Sequence, residues 1–168
     1  MSILPPEIIW YIFEFTDYET LKNCSNIPYL KYIARKEINK RYKTCINILV
    51  KSGHNYGEAI TQINNGCIDL YGKIINNNDI IKLAKNSFNI RKIYLDYSNI
   101  DDRTLLILAK YCPELILISL YKCSNITNNS ILKLIKECSD LGKVNITNCK
   151  SITYNIRSLL LNKRIKIR

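Results

Sequence analysis

At 168 residues the chain can form one ordinary domain, or a short array of repeats with a small extra module. Hydrophobic residues make up 47% and charged residues 23%, a globular balance that excludes a disordered chain. The formal charge of +11 admits nucleic acid, an anionic membrane or an acidic protein as partner.

The first residues, MSILPPEIIWYIFEF, carry acids where a secretory signal needs positive charge. No apolar run nears the ~20 residues of a membrane span. With seven cysteines, an odd number, the expectation is free thiols in a reducing intracellular compartment, cytoplasm or nucleus. Residues 1–42 read as three short helices. Leu4-Pro5-Pro6-Glu7 opens the first, with proline in its first turn and an early acid suited to the helix dipole. Ile8, Ile9, Ile12 and Phe13 form its apolar stripe. Asp17 can cap a second helix reaching Leu21 and Cys24, and Pro28 can start a third running to Tyr42. Such a module is too small to hold a secure core alone.

Leu4, Pro5, Glu7, Ile8, Ile12 and Phe13 stand at the L-P-x-E-I-x-x-x-I-F positions of an F-box, which residues 1–42 resemble. Leu21 and Ile27 stand at its later apolar positions. Thr16 replaces a usual leucine, Thr20 replaces a usual aspartate, and no tryptophan occurs near Lys31. The resemblance implies docking on the Skp-type adaptor of a cullin ubiquitin ligase through Leu4, Pro5, Ile8, Ile9, Ile12, Phe13 and Leu21.

Charge changes sign along the chain. Residues 1–30 carry a net −3 and residues 31–51 a net +6, and a basic tail holds Arg157, Lys163, Arg164, Lys166 and Arg168. Solvated helix faces account for these clusters without a ligand. CINILV at 45–50 reads as a strand and Glu58–Asn64 as a short helix, together an irregular first repeat.

From Cys67 a pattern recurs: L-x-x-I-x-L, a polar loop, then an amphipathic helix. Its second anchor falls at Ile68, Ile93, Ile118 and Val144, at spacings of 25, 25 and 26. Ile93 and Leu95 alternate with Tyr94 and Asp96, the period of a strand with one buried face. Leu105, Leu106, Leu108 and Ala109 make one helical stripe, and Ile131, Leu132, Leu134 and Ile135 the next. Asp102 and Asn129 are the expected N-caps, and Pro113 follows the helix end at Cys112. A helix at 154–161 and a last strand in RIKIR at 164–168 complete the series. One unit cannot bury its own apolar face, but stacked units can.

Residues 67–160 resemble the cysteine-containing leucine-rich repeats, with Cys123 and Cys149 just after strands and Cys112 and Cys138 at helix ends. Lys73, Ser98 and Ser87 replace cysteines of that pattern. The implied fold is α/β: a short leucine-rich-repeat solenoid over residues 43–168, with parallel strands on its concave face and helices outside. F-boxes and this repeat class share chains within that family. The abundance of Ile and Asn, 30 and 20 residues, is similar to that of F-box and repeat proteins of large amoeba-infecting DNA viruses. A viral origin would put the protein in the host cell.

Residues alternating with the buried anchors face outward from the sheet. They are expected to hold a target protein: Asp69, Tyr71, Lys92, Tyr94, Asp96, Ser119, Tyr121 and Asn145, with Lys143 and Thr147 on the same face. No catalytic, cofactor-binding or metal-binding set emerges. The single histidine, His54, sits in the loop KSGHNYG and reads as solvated; no Cys-x-x-Cys pair or phosphate-binding loop occurs. The expected protein is a non-catalytic substrate receptor, with no cofactor and no membrane. The alternatives are a repeat scaffold without a ubiquitin role and, last, nucleic-acid binding, which no groove-reading motif supports.

Overall fold

The structure, a computed structural model, describes residues 4–167 apart from 15, 17 and 88. It is an α/β protein. Eight helices and five strands occur among the described residues: α1 Pro6–Glu14, α2 Tyr18–Cys24, α3 Lys31–Lys51, α4 Tyr56–Asn65, β1 Cys67–Asp69, α5 Asn77–Asn86, β2 Lys92–Tyr94, α6 Asp102–Tyr111, β3 Leu117–Ser119, α7 Asn128–Glu137, β4 Lys143–Asn145, α8 Tyr154–Asn162 and β5 Lys166–Ile167. The chain divides into two compact units, residues 1–44 and 45–168, at a point inside α3.

In the first unit Ile9, Phe13, Leu21, Ile33 and Ala34 form the buried cluster, with Trp10, Cys24, Leu30 and Ile38 packed against it. The apolar stripe read on α1 therefore splits. Ile9 and Phe13 turn inward, one helical turn apart, while Ile8 and Ile12 stay about half exposed. The proposed cap Asp17 lies outside the described residues.

Arg41 holds this unit together in a second way. It is 6% exposed and donates from Nε to Glu37 Oε1 at 3.1 Å. Nη2 donates to the carbonyls of Phe13 at 2.7 Å and Glu14 at 3.2 Å, and Nη1 to that of Thr16 at 2.8 Å. Phe13 and Glu14 lie in the last turn of α1 and Thr16 just beyond it, and Phe13 also accepts the Thr16 N–H at 3.2 Å. One guanidinium thus serves three carbonyls at this helix end and complements the negative end of the dipole.

The second unit is a five-stranded parallel sheet in the order β1-β2-β3-β4-β5. Ile68, Ile93, Ile118 and Val144 pair in one row, as the 25-residue period requires, and Val144 pairs on to Ile167. These row members from Ile68 to Val144, together with Leu70, Leu95, Leu120 and Ile146, are fully buried. Leu83, Leu105, Leu108, Leu134 and Leu160 cover them from the helices. Each helix packs beside the next as each strand does, so the core is a continuous layer shared by neighbouring repeats.

CINILV does not form a strand. It continues α3, where Arg41, Cys45, Ile46, Ile48 and Leu49 are buried at helical spacing while Asn47 and Val50 are exposed. A run of alternating apolar residues fits both periods, and packing chose the helix. The helical stripes are also narrower than expected. Leu132 is exposed and Leu106 and Ile135 are only partly covered, whereas Thr104 and Ser130 are fully buried. Their hydroxyls make this possible by bonding Asp101 Oδ1 and the Thr127 carbonyl within the first turn.

The helix caps sit earlier than read. Asp101, not Asp102, caps α6, and Thr127, not Asn129, caps α7. Asp102 has a different task. Its carboxylate accepts from the N–H and hydroxyl of Thr127, the cap of the following helix, at 2.7 and 2.6 Å. Asn128 repeats this one unit later. Its Oδ1 accepts from Thr153 N–H, and its Nδ2 donates to the Thr153 hydroxyl, both at 3.0 Å. Asn77 stands in the same place in the preceding unit, and its buried Oδ1 has no partner.

One position after each of β1 to β4 is left-handed: Gly72, Tyr97, Lys122 and Asn148, with φ between 59° and 63°. Three of the four are not glycine, an uncommon choice in that region. The connection from strand to helix then varies. It spans 70–76 and 95–101 in the first two repeats and one residue more, 120–127 and 146–153, in the next two. At the start of the sheet, Gly66 ends α4 with φ 62°, and a Cβ there would lie 2.1 Å from the Asn89 carbonyl oxygen, so only glycine fits.

Candidate functional site

Two surfaces emerge, one on each unit. On the first, Leu4, Pro5, Ile8 and Ile12 are exposed, with Leu4, Ile8 and Ile12 at 54%, 48% and 47%. Ile8 and Ile12 are four residues apart and share a helix face. Of the remaining residues expected at this docking face, Ile9, Phe13 and Leu21 are core, and they set its position from beneath.

The second surface is the open face of the sheet. Asp69, Tyr94, Ser119 and Asn145 pair in one row, and Cys67, Lys92, Leu117, Lys143 and Lys166 in another. The central side chains are tied together. Asn145 Nδ2 donates to Ser119 Oγ at 3.0 Å, and the Ser119 hydroxyl donates to Asp96 Oδ1, which also accepts the Tyr121 N–H at 2.7 Å. Asp96 and Ser119 are consequently buried, while Asp69 and Lys92 are exposed and Tyr94 and Asn145 half-buried. Burial first, then the charges of Cys67, Asp69 and Asp96, push the Tyr94 phenol above its ordinary range, so it stays neutral. A recess of about 70 Å³ opens between Tyr94, Leu117, Ser119, Lys143 and Asn145.

Along the rim the left-handed turns carry a ladder of tyrosines. Tyr71 and Tyr97 meet edge to face at 5.7 Å between ring centres, and Tyr97 and Tyr121 at 5.1 Å. Lys122 Nζ lies 5.1 Å from the Tyr97 ring centre and 5.4 Å from that of Tyr121. Asn148 Nδ2 donates to Tyr121 Oη at 3.4 Å. Beyond it lies a wider recess of about 400 Å³, lined by Lys122, Ser124, Asn148 and Lys150. Tyr71 and Tyr121 were expected on the sheet face. Tyr97 and Lys122 were not, because strand alternation stops before the turn. Their signal was Gly72, the glycine at the equivalent repeat position.

No known family model matches the chain, and no curated protein matches it.

The remaining reactive groups are committed to structure. His54 is buried, not solvated as its loop position suggested, because its ring closes the end of α3. Nδ1 lies 3.1 Å from the Leu49 carbonyl oxygen and 3.2 Å from the Ser52 hydroxyl. No disulfide joins the described residues, which include all seven cysteines. The Cys123 thiol donates to the Leu95 carbonyl at 3.2 Å and Cys149 to that of Leu120 at 3.0 Å, each reaching into the preceding repeat. Cys138 does the same to Cys112 at 3.5 Å. Burial above all pushes these thiols up, to about 12 for Cys112 and about 11 for Cys138 and Cys149, far from the thiolate a nucleophile needs. Among the described residues no cluster of three metal-ligating side chains occurs, and no helix is long and apolar enough to cross a membrane.

Proposed function

We propose that this protein is a non-catalytic substrate receptor of a Skp–cullin–F-box ubiquitin ligase. The N-terminal unit is an F-box that docks on the adaptor, and the repeats are a leucine-rich-repeat solenoid that holds a target. The observation that carries the reading is the exposed apolar face of α1. Leu4, Ile8 and Ile12 lie outside a core built from Ile9, Phe13 and Leu21, where a self-contained domain would place polar residues. The resemblance of the opening Leu-Pro-Pro-Glu-Ile to the F-box pattern gives that face an occupant. The mechanism is proximity: the target is held near an enzyme supplied by other subunits, and this chain breaks no bond.

The test is capture by a purified Skp-type adaptor. The wild-type chain is retained, and Ile8→Asp with Ile12→Asp abolishes retention while the chain still melts cooperatively, because both side chains are about half exposed and lie outside the core. Failure of the wild type where established F-box proteins bind would sink the proposal. The second reading is a repeat scaffold with no ubiquitin role. Thr16 favours it, since its hydroxyl donates to the Ile12 carbonyl where the F-box pattern has an apolar leucine. Under that reading, deleting residues 1–42 leaves every partner in place.

A further inference from the structure

We propose that the tyrosine rim and the recess beside it form a docking groove for an acidic segment of a partner protein, with a partner carboxylate seated between Lys122 and Lys150. The inference rests on the repeats being the target-holding part of the molecule, and it is independent of the adaptor.

The lining of the recess is donor-rich and has no acid. Lys122, Ser124, Asn148 and Lys150 come from equivalent positions of two successive repeats, 26 residues apart. Lys122 is already held, its ammonium against the rings of Tyr97 and Tyr121 and its backbone in the left-handed turn. A cation fixed before binding loses less freedom when an anion arrives.

The rest of the surface carries the same sign. Lys92, Lys143 and Lys166 share one row of the sheet, whose strands stand ~4.8 Å apart. Two carboxylates lie on this side, Asp69 accepting the Tyr71 N–H and buried Asp96 accepting from Ser119 and Tyr121, and the three lysines outnumber them. Residues 45–168 hold 18 Lys and Arg against 9 Asp and Glu, so a second copy of this basic chain is repelled. Nucleic acid is the poorer occupant. Single strands bind by laying bases on open aromatic faces, whereas these rings meet edge to face at 88° and 77° with Lys122 over two of them. The half-exposed edges of Tyr71 and Tyr97 instead suit the apolar residues of a peptide.

The experiment is selection of a displayed random twelve-residue peptide library on the full-length chain, followed by affinity measurement on the enriched peptides. Asp- and Glu-rich sequences are expected to emerge. Their binding should fall at least tenfold with Lys122→Glu plus Lys150→Glu, and also with Lys122→Gly plus Lys150→Gln, the pair that suits the left-handed turn. Lys163→Glu plus Arg164→Glu, away from the groove, should change it less than twofold. Four results would each overturn the proposal: no enrichment, enrichment of neutral or basic peptides, equal loss from both charge-reversed pairs, or displacement of the peptides by an oligothymidine of equal charge at lower concentration. None of them touches adaptor capture through Ile8 and Ile12, so the two readings fail separately.

Discussion

The two units reach stability by opposite routes. In residues 45–168 every kind of contact is made several times over: a buried isoleucine or valine in each of β1 to β4, a left-handed turn after it, and a thiol reaching a carbonyl of the preceding repeat. In residues 1–44 each contact is made once. The helix stripe splits between core and surface, and one guanidinium does the work of a cap for α1. A repeated architecture spreads the effect of a substitution over many equivalent sites. A small single module concentrates it.

The largest effect should therefore come from Arg41. Arg41→Ala leaves buried Glu37 with only the exposed Lys40 as a counter-ion and takes a donor from three carbonyls, a loss of about 3–5 kcal/mol. Hydrogen exchange should show protection lost across α1 and α2 and kept in β2, β3 and β4. Lysine should not rescue it, since an ammonium lacks the planar fork that reaches three acceptors. Retained protection in α1 would erase the contrast between the units.

A smaller effect is expected where the contact recurs. Asp102→Ala removes the tie to Thr127 and should cost about 1 kcal/mol, since the pair is partly in water. Asp102→Asn should be nearly neutral at pH 7, because Asn128 performs the same task one unit later. Burial raises the Asp102 carboxyl, but hydrogen bonds from Ser130 and Thr127 outweigh it, and the value lies below the ordinary one. A depressed folded value contributes stability above the unfolded carboxyl's ~3.9 and loses it as pH falls through the folded value. Urea midpoints of wild type and Asp102→Ala should thus converge below about pH 4.

The smallest effect is a gain. Asn77→Ala removes the buried Oδ1 that has no partner, while Asp101 keeps its bonds to the Thr104 N–H and hydroxyl. Relief of that unmet acceptor, with the better helix propensity of alanine, should raise stability by about 0.5 kcal/mol in urea titration. A loss instead would mean that Asn77, like Asp102 and Asn128, supports the next repeat.

The contrast also governs what is legible in the amino-acid sequence. Strand register was legible because Ile68, Ile93, Ile118 and Val144 repeat at a fixed period and a parallel sheet pairs like with like. Tyr71, Tyr94 and Asn145 followed from alternation. The left-handed turn was not legible, since Tyr97 and Lys122 carry no conformational signal of their own. Residues 45–50 misled because a short apolar run satisfies strand and helix alike. The Arg41 web was invisible for a deeper reason. Its acceptors, Phe13, Glu14 and Thr16, are backbone carbonyls some 25 to 28 residues away, and any sequence supplies carbonyls.

The uneven length of the strand-to-helix connection has an evolutionary consequence. The third and fourth repeats each absorb one more residue between strand and helix, and the sheet keeps its register across both. That segment takes an insertion without disturbing the core, and it supplies Ser124 and Lys150 to the recess. The shape of the recess can change there, one residue at a time, while the strands and helices stay under selection for packing.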